Sequence, residues 1–132
     1  LGVTVHLTAL SEEEYRARIA AGDYVLAGEY LTAQQNDAMS FLDRFASGST
    51  DNSVRYSNHT YDMLMGVAEK SDNMAARTAF LHDAEAMLLE SAPISPVLFG
   101  AAAYALREGL QGVYHDGLGN SYFTSVTQVN EA

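Results

Sequence analysis

The chain has no cysteine and no tryptophan, two prolines, and seven lysine and arginine residues against seventeen aspartates and glutamates in 132 residues. Without cysteine there is neither a disulfide frame nor a thiolate metal site. A formal net charge of -10 disfavours nucleic acid and anionic membrane surfaces as partners. No apolar run approaches the roughly 20 residues that span a bilayer, so direct membrane insertion of this chain is not expected. The opening LGVTVHLTAL carries no initiator methionine, no basic leader and no cleavage site, and it reads as a strand entered mid-domain. An excised piece of a longer protein is therefore expected.

Recognisable reaction chemistry is scarce as well. The histidines His6, His59, His82 and His115 include no pair four apart on a helix and no HExxH, so no metal site is expected and a solvated or locally bonded imidazole is favoured at each. No serine stands in GxSxG, and the glycines form neither GxGxxG nor a phosphate-cradling loop, so no nucleophile and no nucleotide cofactor is expected. Asp37, Asp43, Asp51 and Asp62 could supply a carboxylate pair for a small hydrolase, but nothing in the spacing places two of them in one cleft. Asn58-His59-Thr60 matches a glycosylation sequon, a short motif that recurs by chance.

What is present is enough apolar material, 48% of residues, for one compact domain spanning 1–132. Gly2 to Thr8 alternates Val3, Val5 and Leu7 with Thr4 and His6, which predicts a strand with one buried face. Ser11 and Glu14 predict a capping box for a helix that stops near Gly22, with Glu12–Arg16 and Glu14–Arg18 pairs along it. Asp23 to Leu31 predicts a second strand, with Gly28 at a bulge or close approach. Asn36 is a candidate cap for a helix through Phe41, Leu42 and Phe45, and SGSTDNS is loop.

Ser57 or Asn58 can cap a helix that carries Tyr61, Leu64, Met65 and Ala68 on one side. A longer helix is predicted from about Asp72 to Ser91, with Ala76, Phe80, Ala84, Met87 and Leu88 on one stripe. Pro93 and Pro96 forbid its continuation, and VLFGAAAYAL predicts a buried strand bent at Gly100. Asp116-Gly117 and Gly119-Asn120 predict turns in a tail with one or two short strands. The fold class is therefore α/β, or α+β with a mixed sheet.

Taken in order, LGVTVHL, GDYVLAGEYL, SFLDRFASGSTDNSVRYSNHTYDMLM, Ala76-Arg77, the DAEAML helix and PISPVLFG resemble the extracytoplasmic solute-binding proteins of the oligopeptide- and dipeptide-binding ABC transporter family. The resemblance covers nearly the whole chain. Family members are several times longer, with two lobes joined by a hinge and the ligand trapped between them. The chain resembles a C-terminal fragment of one, covering much of its second lobe. The resemblance implies a bacterial protein at the periplasm or cell surface, with an upstream signal and lipid anchor, a peptide ligand, and permease and ATPase partners. It implies binding without chemistry and no cofactor. Family members with other cargo, such as nickel complexes or oligosaccharides, form the alternative.

In that family the segment matching Gly28 to Gln35 often reads Gly-Trp followed by a short loop with an acid. The aromatic packs on the ligand and the acid holds a peptide amino terminus. Here the tryptophan position is Leu31 and the acid position is Gln34, so both marks are missing. A neutral amide still accepts from an ammonium group, but it gives up roughly half the strength of a charge-assisted bond. Glu29, Tyr30, Leu31, Thr32 and Gln34 are the ligand-facing candidates, with Phe99 and Gly100 as a second wall. For Tyr30 and Leu31 sheet packing competes equally with ligand contact. Strand alternation would put Glu29 and Tyr30 on opposite faces. The Asn52 to Leu64 stretch is expected to be scaffold, with no ligand contact.

Overall fold

The computed structural model describes residues 2–101 and 103–129. Leu1 and 130–132 of the expected domain, and Ala102 of the expected strand after Pro96, lie outside the described residues.

Local capping chemistry sets the helices. Helix α1 (Glu12–Ala21) opens on the predicted capping box: the Ser11 hydroxyl accepts from the Glu14 N–H, and the Glu14 carboxylate accepts from the Ser11 N–H and hydroxyl. These bonds commit Glu14 to the cap and hold its carboxyl below the usual range. Among the described residues, the Glu12–Arg16 ion pair forms and the expected Glu14–Arg18 pair does not. Gly22 ends the helix in the left-handed region, φ 73°, where glycine carries no Cβ penalty.

Helix α2 is a single turn (Met39–Leu42) followed by a 3-10 turn, Asp43–Phe45. The expected cap at Asn36 does not form: Ala38 precedes the helix without a side-chain cap, and the Asp37 carboxylate accepts from the Met39 N–H at 2.8 Å. Helix α3 (His59–Lys70) is capped by Asn58, whose side-chain oxygen accepts from Thr60 and Tyr61. Helix α4 (Met74–Ser91) is capped by Asn73. It ends at Ala92, which takes φ 51° because Pro93 disfavours the helical conformation in the residue before it.

The core lies between α3 and α4 with the α2 turn laid across them. Its buried members are Leu42, Phe45, Tyr61, Met65, Ala68, Leu81, Ala84 and Leu88. The face predicted for α3 is the buried one. On α4 the buried line runs through Leu81, Ala84 and Leu88, while Phe80 and Met87 pack at its flank. The Tyr61 hydroxyl donates to the Leu42 carbonyl at 2.6 Å, which joins α3 to α2, and burial pushes its phenol strongly upward. The Tyr56 ring meets Tyr61 edge-on at 5.3 Å.

The β structure departs most from expectation. Gly2–Thr8, Asp23–Leu31 and the described residues of 97–106 form no strand. Apart from the partly buried Tyr24, Ala27 and Leu31, their apolar side chains stand largely in solvent: Leu7 is 94% exposed, Val25 103% and Phe99 102%. β-propensity describes how a residue fits a pleated surface beside neighbours, and without a neighbouring strand it produces no ladder.

The strands that do form are pairs of residues in the tail: β1 (Leu110–Gln111), β2 (Tyr114–His115), β3 (Ser121–Tyr122) and β4 (Thr127–Gln128). They nest antiparallel, with Leu110 opposite Gln128 and Tyr114 opposite Tyr122. The expected mixed sheet is thus replaced, among the described residues, by two antiparallel two-stranded sheets. The predicted turn is built by Asp116, whose carboxylate accepts from the Leu118 and Asn120 N–H groups and from the Tyr122 hydroxyl.

Tyr61→Phe keeps the ring and removes the hydroxyl bond to the Leu42 carbonyl. It is expected to lower the unfolding free energy by about 1–3 kcal/mol in urea titrations. A loss near zero would mean that water reaches that carbonyl.

Candidate ligand-facing loop and cleft

The segment after α1 is fastened by three hydroxyl and guanidinium contacts. Tyr15 donates to the Gly28 carbonyl at 3.0 Å, Tyr24 donates to Ser53 at 3.0 Å, and Arg55 reaches back to Ala21 at 3.0 Å. The last bond places a guanidinium on the carbonyl end of α1, which the helix dipole favours. Between α1, the 28–30 segment and the 50–55 loop these contacts leave an open cleft of about 700 Å³. Tyr15, Glu29, Tyr30, Arg44, Asp51 and Arg55 are among its walls.

Its charges are balanced. Glu12, Glu29 and Asp51 face Arg16, Arg44 and Arg55, so three of the chain's seven cations gather here against the acidic excess elsewhere. Glu29 approaches Arg44 at 3.4 Å. Burial, followed by the Glu29 carboxylate and the Tyr24 phenol, raises the Tyr15 phenol above its ordinary value.

The candidate residues fall into distinct positions. Glu29 and Tyr30 both line the cleft, because the backbone there is no strand and the expected alternation does not apply. The Tyr30 ring lies directly over Gly100: a Cβ built on that glycine would be 2.6 Å from Tyr30 Cε2. Gly100 is thus a close-approach glycine that leaves room for the ring, and the expected second wall touches the first at this point.

Leu31 turns inward and packs against the helical core. Thr32 and Gln34 are exposed on the loop that follows, and Phe99 is exposed, not the core-strand residue that the sequence favoured.

The rest of that loop is closely bonded. Ser40 and Gln35 exchange bonds, the Gln35 N–H donating to the Ser40 hydroxyl at 3.1 Å and that hydroxyl to the Gln35 carbonyl at 3.2 Å. Asp37 meets Arg77 of α4 through both carboxylate oxygens, at 2.8 and 3.0 Å. The bond from Arg77, then that from the Met39 N–H, hold the Asp37 carboxyl below the usual range against the opposing effect of burial.

Sequence reasoning missed Tyr15, Arg44, Asp51 and Arg55 as cleft residues. It also took the 52–64 stretch for scaffold alone. Asn52 does knot its loop, donating to the Ala46 and Tyr56 carbonyls and accepting from the Tyr56 N–H, yet Asn52, Ser53 and Arg55 also line the cleft. Arg55 is held at φ 55°, a conformation that nothing in the neighbouring sequence announces.

The four aspartates weighed for hydrolysis are dispersed in role. Asp37 pairs with Arg77, Asp62 accepts from the Ser47 N–H, Asp51 lines the cleft and Asp43 opens the 3-10 turn. Glu14, Asp37 and Asp116 are held below their ordinary range, the opposite of what a general acid needs. Among the described residues no group of three His, Asp or Glu side chains could hold a metal, and no helix is long and apolar enough to cross a membrane.

No protein-family model matches the chain. Curated relatives do. It is 31% identical over 99 residues to the probable deoxycholate-binding periplasmic protein YgiS of Escherichia coli, covering 75% of this chain and 18% of that protein. It is 27% identical over 119 residues to the dipeptide-binding protein DppE of Bacillus subtilis, covering 90% and 22%. With the periplasmic oligopeptide-binding protein OppA of Escherichia coli it shares 28% over 123 residues, covering 92% and 23%. The chain belongs to the oligopeptide- and dipeptide-binding family of extracytoplasmic solute-binding proteins, and its compartment is extracytoplasmic. It spans about a fifth of the length of these relatives.

A group whose folded pKa is depressed adds stability above its unfolded pKa and loses it as pH falls through the folded value. Asp37→Asn is therefore expected to destabilise the chain by a constant amount above about pH 4, the ordinary carboxylate range, and by a shrinking amount below it. Urea titrations across a pH series read this directly. A gap that widens toward acid would contradict the ion pair.

Proposed function

We propose that these 132 residues form much of the second, C-terminal lobe of a two-lobed binding protein that captures a peptide outside the cytoplasmic membrane and presents it to the permease and ATPase of an ABC importer. The observation that carries the reading is the cleft, where Tyr30 stands among three acids, Glu29 included, and three arginines. A peptide is zwitterionic, and such a lining suits both of its ends. Peptide cargo also accords with the names of two relatives, the dipeptide-binding and oligopeptide-binding proteins.

Many peptide sequences must be held alike, so affinity comes from the ligand backbone while its side chains rest in watery pockets. Closure of the two lobes about the hinge buries the cargo, and the closed form is the one that the membrane complex recognises. No bond is made or broken.

A second reading has its own observation. Gln34 stands where the family's acid is expected, and Leu31 stands at the tryptophan position. The loss of both marks favours a non-peptide cargo, and one relative carries a deoxycholate-binding name.

Calorimetry on the full-length polypeptide that contains this chain separates the two. Trialanine is expected to bind, and Tyr30→Ala and Gln34→Ala each to weaken it by about 1 kcal/mol, the worth of one polar contact. Saturable binding of deoxycholate with none of trialanine would replace the peptide reading. The 132 residues alone offer half the contacts and are expected to bind trialanine weakly or not at all; sub-micromolar binding by them would contradict the two-lobed reading.

A further inference from the structure

Thr32 and Gln34 sit on a loop of seven residues, Leu31 to Asp37, that has no regular secondary structure. A loop of that kind ordinarily samples many conformations, and ordering each residue costs roughly 1–2 kcal/mol of backbone entropy. Here both ends are fixed. At the start Leu31 is packed against the helical core. At the end Asp37 is gripped by Arg77, 40 residues further along the chain, through two parallel contacts of 2.8 and 3.0 Å. The pair is partly shielded, with the side chains 19% and 30% exposed, so it is screened less than a surface ion pair.

Arg77 is itself on firm ground. It stands one turn before Leu81, the first buried residue of α4, and Leu81, Ala84 and Leu88 fasten that helix to the core. Asp37 in turn organises its neighbours. Its N–H donates to Gln35, its carbonyl accepts from Ser40, and its carboxylate caps Met39. The exchange of bonds between Gln35 and Ser40 closes the remaining gap. The guanidinium therefore holds, through one carboxylate, the backbone immediately beside Gln34.

We propose that Arg77 and Asp37 are positioning residues for cargo capture: their two-pronged ion pair transmits the rigidity of α4 to the loop and presents Thr32 and Gln34 in a preset arrangement. The inference rests on the reading of that loop as ligand-facing. Its effect on affinity is preorganisation, since a loop ordered beforehand need not be ordered on binding. A lysine at 77 would reach one oxygen and lose the planar match, so the arginine geometry is specifically required.

Two measurements test this. In the 132-residue chain, hydrogen exchange at the bonded amides of Gln35, Asp37 and Ser40 is expected to speed up about tenfold in Arg77→Met through local opening, with Arg77→Lys intermediate and the α3 amides unchanged. Unchanged loop amides, or all amides accelerating together, would overturn the clamp. In the full-length polypeptide, Arg77→Met is expected to weaken trialanine binding about fivefold through lost preorganisation, with Gln34→Ala measured beside it. If Gln34→Ala weakens binding and Arg77→Met does not, the positioning role falls and the ligand-facing loop stands. If Arg77→Met loosens the loop but neither variant alters affinity, the ligand-facing reading falls and takes the positioning role with it.

Discussion

The seating of Tyr61 between α3, α4 and the α2 turn is the contact on which the rest of the chain depends. The ring is fully buried, and its hydroxyl is spent on the carbonyl of Leu42. That one bond holds the α2 turn on the helix pair, and α2 follows directly on the loop that carries Thr32 and Gln34. Met65 and Ala68 below it, and Leu81, Ala84 and Leu88 across from it, complete a small dry core with no other buried polar side chain among the described residues.

The second constraint is an unmet one. Three segments rich in β-branched and aromatic residues, 3–7, 23–31 and 97–106, run without ladder partners among the described residues. Each carries the alternating or continuous apolar pattern of a strand, and each exposes most of it, Leu31 at the end of the second being packed on the helical core. Burying such side chains is worth about 25 cal/mol per Å² of apolar surface, so their exposure marks stabilisation that this stretch of polypeptide does not realise by itself. The relatives are about five times as long as the matched region. On the two-lobed reading, the strands that would pair with these segments belong to the rest of that length.

Much of the helical layer was legible because caps are local. Ser11 with Glu14, Asn58 with Thr60 and Tyr61, Gly22 at the end of α1 and Pro93 after α4 act within a few residues of themselves, and the sequence displays both partners. The Asp116 turn was readable for the same reason. Asn36 was expected as the cap on residue type alone, and the part played by Asp37 was hidden because what binds it lies 40 residues away.

Strands were misread where pairing is the cause and propensity only the permission. The alternation rule then failed for Glu29 and Tyr30, which meet in one cleft. Of the site, the segment around Tyr30 and Gly100 was visible, but the contact between them joins positions 70 apart and leaves no periodic trace. The arginines of the cleft were invisible for the same reason, since three different elements deliver them.

Whether the unpaired segments await the remainder of a two-lobed protein is settled most directly by amide hydrogen exchange at Val3, Val5, Val25 and Val97, compared between the 132-residue chain and the full-length polypeptide. These amides are expected to exchange at open-chain rates in the short chain and to become protected by several orders of magnitude in the long one, as ladder amides of a stable sheet are. Equal protection in both, or none in either, would contradict the claim that this chain is one wall of a larger trap.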